Sequence, residues 1–207
     1  MLPDTGSMKL FGPRKTDFRW AWIASRVLDP VFLIPFLLVA AVMLALANGL
    51  RWRFMALLLT VDALFPAIFF IRGLQTKRFS DWDITDRLQR NSLIFFTLSC
   101  HLFGVVLAFF LGKVILFEIL LVFWLLAVIF ALINLVWKIS IHAGVNGALV
   151  AFFNHYYGWD RYWWLVIVLA IVLASRVVIK KHTWGQVLVG AGLGLAWITL
   201  GLRLWGA

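Results

Sequence analysis

The chain has 207 residues, 64% of them hydrophobic and only 14% charged, and it carries a formal net charge of +10. Soluble domains average roughly 45–50% apolar and about 25% charged residues, so this composition excludes an ordinary soluble fold. On so apolar a chain the positive excess points to membrane orientation and to anionic lipid or phosphate partners, not to nucleic acid, for which no basic soluble module exists.

The opening "MLPDTGSM" reads as a cloning remnant up to residue 7, with Met8 as the native start. Residues 8–27 read as an interfacial amphipathic segment: Lys15–Arg26 mixes cations with Phe18, Trp20 and Trp22 and predicts a helix lying in the headgroup region. Seven apolar segments follow, at 28–49, 52–73, 92–112, 114–137, 142–157, 162–180 and 184–205. The fifth is short: about 16 residues at ~1.5 Å each fall below a ~30 Å hydrocarbon core. The expected fold is an all-α polytopic transmembrane helix bundle of six to seven spans, with 28–207 as a single transmembrane domain. Pro66 predicts a kink in the second segment. Gly190 and Gly194 form a small-residue step that predicts close packing of the last helix. The single Cys100 can form no internal disulfide.

Seven spans put the N-terminus and the loops at 74–91, 138–141 and 181–183 on one face. Five of the 19 Lys and Arg residues (Arg51, Arg53, Lys113, Arg161 and Arg203) fall on the other face, which leaves fourteen on the first. By the positive-inside rule the first face, with the N-terminus, is cytoplasmic in a cell (inner) membrane.

Three polar islands lie on that face. "SDWDITDRLQRN" (Ser80–Asn91) places Asp83, Asp86, Arg87 and Arg90 on one side of a helix, where a solvated, internally paired surface is the simpler reading. "WKISIHAGVNG" (Trp137–Gly147) sets Lys138, Ser140 and His142 at a helix start, whose free N–H groups suit an anion. "SRVVIKKHTW" (Ser175–Trp184) puts Arg176 in the last turn of one segment and His182 at the start of the next, with Gln186 one turn on. Lys180 and Lys181 read as interfacial anchors. A cation within a membrane segment is costly unless paired or facing a polar cavity, so Arg176 is a functional candidate. Asp62 and Glu118 lie inside segments without an evident partner and read as structural pairs. His101 and His155 read as packing or interfacial residues.

Arginine forks and two histidines on one membrane face are what phosphoryl transfer from a membrane-bound ester requires. Guanidinium groups bind phosphate oxygens and stabilise the charge spread in a loose transition state. A neutral imidazole can attack phosphorus, and a protonated one can donate to the departing alkoxide.

Residues Asp81 to about Gly194 resemble the type 2 phosphatidic acid phosphatase and vanadium haloperoxidase superfamily, in its membrane lipid-phosphate phosphatase branch. "SRVVIKKH" has the Ser-Arg, five residues, His spacing of the third signature. "ISIH" is similar to the second, usually Pro-Ser-Gly-His, and Arg90 resembles the arginine closing the first. The resemblance implies a hydrolase in which His182 is the nucleophile that forms a phosphohistidine and His142 the acid for the leaving group. It implies phosphate ligands at Arg176 and Arg90, an anion cradle at Ser140, and neither metal nor cofactor. Four positions depart from the pattern. Asp83 stands where a lysine is usual, so that cation is missing or supplied by Arg87 or Lys138. Asn91 replaces a proline and Ile141 a glycine. Gln186 stands where an aspartate usually orients the nucleophile, and its amide oxygen can still accept the Nδ1–H. The expected activity is hydrolysis of a lipid or isoprenyl phosphate or diphosphate. The alternatives are a non-catalytic lipid-phosphate-binding relative, supported by Asp83 and Gln186, and a magnesium-dependent membrane prenyltransferase using the Asp83–Asp86 step. The sequence leaves the oligomeric state open.

Overall fold

The structure is a computed structural model that describes residues 18–205, apart from the side chains of Asn48 and Arg87. The segment 1–17 lies outside the described residues, and with it the expected remnant and half of the amphipathic segment.

Every regular element among the described residues is a helix. Its elements are α1 (Arg19–Val27), α2 (Pro30–Ala45), α3 (Asn48–Leu58), a π-helical stretch (Leu59–Leu64), α4 (Phe65–Gln75), α5 (Arg87–Phe110), α6 (Val114–Val136), α7 (Ile141–Tyr157), the single turn α8 (Trp159–Tyr162), α9 (Leu165–Val178) and α10 (Trp184–Trp205). By length and composition five helical stretches can cross a membrane: Arg19–Ala45, Gly49–Gln75, Leu88–Phe110, Val114–Val136 and Trp184–Trp205. Two expected segments are shorter helices, α7 with 17 residues and α9 with 14. The five long stretches bury only 22–39% of their most apolar windows. Most of that apolar surface therefore faces outward, as lipid-facing helices require. Where a kink was expected at Pro66, the chain runs through a π-helical stretch just before the proline.

The short fifth segment is the centre of the bundle. Almost every residue of α7 from His142 to Phe152 is buried, and α10, α9 and α2 pack around it. Small residues make this possible. A Cβ at Gly147 would lie 2.5 Å from the Ala191 carbonyl, and one at Gly190 would lie 2.6 Å from that of Ser140. The glycine step in α10 thus lets the helix axes approach closely, and it brings the second and third polar islands together.

Helix starts are set by side-chain caps. Asp29 accepts the Val31 N–H ahead of Pro30, Asp86 accepts that of Leu88, and Ser140 accepts that of Ala143. The α9–α10 seam is closed by Lys180 in a left-handed conformation (φ 58°). Its geometry folds the chain back so that the N–H groups of Lys181 and His182 both donate to the Arg176 carbonyl, at 3.0 and 3.2 Å. This helix-ending turn is the physical content of the Arg-to-His spacing: it returns His182 to the end of the helix that carries Arg176.

Candidate active site

Arg90, His142 and His182 line one cavity of about 320 Å³ whose other walls are mainly apolar. Three far-separated polar islands therefore supply side chains to a shared space. Arg176 is 1% exposed, and its charge acts on both histidines.

The Nδ1 of His182 lies 3.1 Å from the Gln186 Oε1, one helical turn on. The Thr183 N–H also donates to this oxygen, at 3.2 Å, which fixes the amide with its oxygen toward the imidazole. His182 therefore holds its proton on Nδ1 and leaves a lone pair on Nε2. Burial, reinforced by the positive charges of Arg176, Arg90 and Lys138, pushes its pKa down to about 3. The ring is thus neutral at ordinary pH.

Arg176 uses NH1 twice, donating to the Ser25 hydroxyl at 2.6 Å and to Asp83 Oδ1 at 2.8 Å. Its Nε is buried and makes no hydrogen bond. Arg90 donates to the carbonyls of Ile84 (2.7 Å) and Asp83 (3.3 Å), and over a longer 3.5 Å to that of Ile139. It joins the first island to the second while two of its five guanidinium N–H groups remain uncommitted in this count. Ile84 holds a left-handed backbone (φ 41°), unfavourable for a β-branched residue. Its side chain is anchored against Phe70 and Phe79, and its carbonyl is aimed at Arg90.

Asp83 is more than a missing lysine. Its carboxylate meets Arg176, Arg26 (3.0 Å) and Lys181 (3.4 Å). Burial opposes its ionisation, but the Arg176, Arg26 and Lys181 charges hold it well below the usual carboxylate range. Lys181, expected as an interfacial anchor, instead ties the α9–α10 seam to the 80–86 loop through Asp81, Asp83 and the Thr85 hydroxyl. Asp83 and Asp86 part company: Asp83 enters the arginine cluster while Asp86 caps α5. The Asp-x-x-Asp step is therefore not arranged as a shared metal clamp.

Lys138 is half-buried. Burial and the neighbouring Arg90, Lys181 and Arg176 charges lower its pKa, which places it at the edge of the same positive field. Ser140 is fully buried and spends its hydroxyl oxygen as the α7 cap, while its N–H reaches the Gln186 carbonyl at 3.4 Å. The Arg87 side chain lies outside the described residues.

Two further residues come from the chain ahead of the first island. Asp29 Oδ2 lies 3.3 Å from His142 Nε2, 3.4 Å from Arg26 and 3.3 Å from Trp82 Nε1. The contact with His142 has ion-pair distance but not hydrogen-bond alignment, so His142 Nε2 is, like Arg176 Nε, a buried nitrogen without an aligned partner. Ser25 reaches the site because α1 packs on α9. The Asp29-Pro30 pair is readable as a helix start. Nothing in the linear pattern marks it as a neighbour of His142.

The cavity leads away from the histidines to Asp62 and His101, which pair at 2.8 Å (Oδ2 to Nδ1). The partner that Asp62 lacked in the linear pattern is His101, so this histidine does more than pack.

No family model matches the chain, and no solved structure matches it. Among curated proteins, lipid A 1-phosphatases from two strains of Helicobacter pylori are each 33% identical to it over 61 residues. That stretch is 30% of this chain and 32% of each relative, so the chain matches about a third of the length of the curated relatives. The similarity, over part of an all-helical chain with several membrane-length apolar helices, is to lipid phosphatases.

Proposed function

We propose that the protein is an integral membrane hydrolase that removes phosphate from a lipid or isoprenyl phosphate ester or diphosphate without a metal, through a phosphohistidine on His182. One observation carries this reading. Two buried nitrogens lack aligned acceptors: His142 Nε2, on a residue lining the apolar cavity, and Arg176 Nε, whose side chain is tied to the cavity-lining Asp83. Buried donors are ordinarily satisfied, and a tetrahedral anion on a lipid tail would supply oxygens to both. The partial similarity to lipid A 1-phosphatases supports the same class.

In this reading the tail enters the cavity and the phosphate lies among Arg176, Arg90 and the edge charge of Lys138. Arg87 is retained as a phosphate ligand from the sequence pattern alone. The His182 Nε2 lone pair attacks phosphorus and the bond to the lipid oxygen breaks, while protonated His142 gives its proton to that oxygen. Water then attacks the phosphohistidine, His142 takes the water's proton, and cleavage of the P–N bond returns neutral His182. Gln186 holds the nucleophile's tautomer. Burial and the Arg176 charge lower the His142 pKa, and Asp29 opposes them, favouring the imidazolium that an acid needs. Asp83 occupies Arg176 while the site is empty and yields it to the phosphate. The excess of cations on this face supports a cytoplasmic orientation in a cell (inner) membrane.

The test is a phosphate-release panel across phosphatidate, isoprenyl phosphates and diphosphates, and sugar-linked lipid phosphates, with His182→Ala beside the parent protein and excess chelator in parallel. The expected result is chelator-resistant, vanadate-sensitive release that His182→Ala abolishes in a folded protein. Unchanged release from His182→Ala overturns the mechanism. Binding without turnover on any lipid selects the non-catalytic alternative.

A further inference from the structure

The far end of the cavity is not apolar. Asp62 is 3% and His101 8% exposed, and both line the cavity. His101 Nδ1 faces Asp62 Oδ2 at 2.8 Å, and its Nε2 faces the Leu120 carbonyl at 3.1 Å. Both ring nitrogens thus meet oxygens. A carbonyl only accepts, so Nε2 is placed to donate to Leu120, while Nδ1 and Oδ2 face each other. The remaining carboxyl oxygen, Asp62 Oδ1, is left as an acceptor. That oxygen is buried and has no partner.

The backbone is adapted to this arrangement. Asp62 sits in the π-helical stretch Leu59–Leu64, which opens the helix just before Pro66. Such bulges recur at functional sites. Gly104 brings α5 close enough that a Cβ there would lie 2.7 Å from Leu58 Cδ2 and 3.4 Å from Asp62 Oδ2. The same cavity is lined by Ala63, Pro66, Leu98 and Phe123, and by Thr97. A single unpartnered carboxyl oxygen among apolar walls does not suit an anionic guest. It favours one neutral hydrogen-bond donor. Both residues lie within helices whose polar ends lead to the histidines, and from Arg90 to His101 helix α5 advances about 16 Å.

We propose that Asp62 and His101 form a second recognition point that accepts a hydroxyl group carried on the substrate's tail about 16 Å from its phosphate. This rests on the lipid-phosphate reading of the cavity. It makes the substrate class a hydroxylated long-chain phosphate and the pair a specificity element remote from the chemistry.

The experiment uses the full chain in detergent in a His182→Ala background, so that bound lipid is not consumed. Equilibrium binding is measured for octadecyl phosphate and for the same lipid with one hydroxyl about 16 Å from phosphorus when extended. The hydroxylated lipid should bind about fivefold to tenfold more tightly, the range of a single buried hydrogen bond. Asp62→Leu/His101→Leu, which replaces both partners, should bind the two lipids equally. Equal affinities in the parent, or a ratio unchanged in the double variant, overturns the proposal. Moving the hydroxyl along the tail needs no second variant: affinity should peak near that depth, and a flat dependence also overturns it. If the protein with His182 hydrolyses neither lipid while the binding ratio persists, the phosphatase reading fails and the recognition point stands.

Discussion

Asp83 and Arg176, 93 positions apart, meet at 2.8 Å, with the Arg176 NH1 donating to the carboxylate. The resembled first signature places a lysine at position 83, and here an acid closes the arginine cluster instead. Removing its charge takes from Arg176 its carboxylate partner and leaves Arg26 to Asp29 and Lys181 to Asp81, and breaking a buried pair from one side costs about 3–5 kcal/mol. Asp83→Asn should therefore lower the melting temperature of the phosphate-free protein. Millimolar inorganic phosphate should restore more stability to it than to the parent. Thermal unfolding across a phosphate titration measures this, and identical phosphate responses would show that carboxylate and anion do not compete.

Gln186 faces His182 Nδ1 at 3.1 Å. Gln186→Leu removes the acceptor that selects the tautomer and should lower kcat by about tenfold or more, with KM little changed. Gln186→Glu should retain activity. Steady-state kinetics on one lipid phosphate separates this from general destabilisation, which would reduce the active fraction of both variants.

Asp29 stands 3.3 Å from His142 Nε2. If His142 is the acid, Asp29→Asn should slow hydrolysis of alkyl phosphates by about tenfold. It should leave p-nitrophenyl phosphate, whose leaving group needs no proton, nearly unaffected. Equal losses on both substrates would assign Asp29 to structure alone.

His182 makes stability depend on pH with a definite sign. Its folded pKa is about 3 against an ordinary value of 6.5. Between these values the unfolded chain binds a proton that the folded protein refuses, so stability rises with pH across that window. Asp83 acts in the same sense at the acid end, since its carboxylate is held below the usual range. Melting temperature should fall as pH drops from 7 toward 4.5, and His182→Gln should flatten the upper part of that slope. A parent protein with no slope between pH 5 and 6.5 would contradict the burial and charge described for this ring.

The membrane helices were legible because apolar run length reports the bilayer directly. The His182–Gln186 pairing was legible because four residues is one helical turn. Lys181 was misjudged as an anchor because a lysine beside a membrane segment looks the same whether it faces lipid headgroups or a loop carboxylate. Asp62 and His101 lie at similar depths, each about 20 Å from the polar ends of α4 and α5, and that equality was a usable signal. Depth alone does not say whether two residues face each other.

Composition and periodicity by themselves determined a helical membrane bundle, its polar islands and the local turn that returns His182 to Arg176, because each depends on run length or on contacts within a few residues. Only the tertiary structure decided which carboxylate answers which cation: Asp83 with Arg176, Asp29 with His142, and Asp62 with His101. Charge and hydrogen bonding act through space at a few ångströms, and the close packing of α7 against α10 and its neighbours sets those distances between residues the chain keeps far apart.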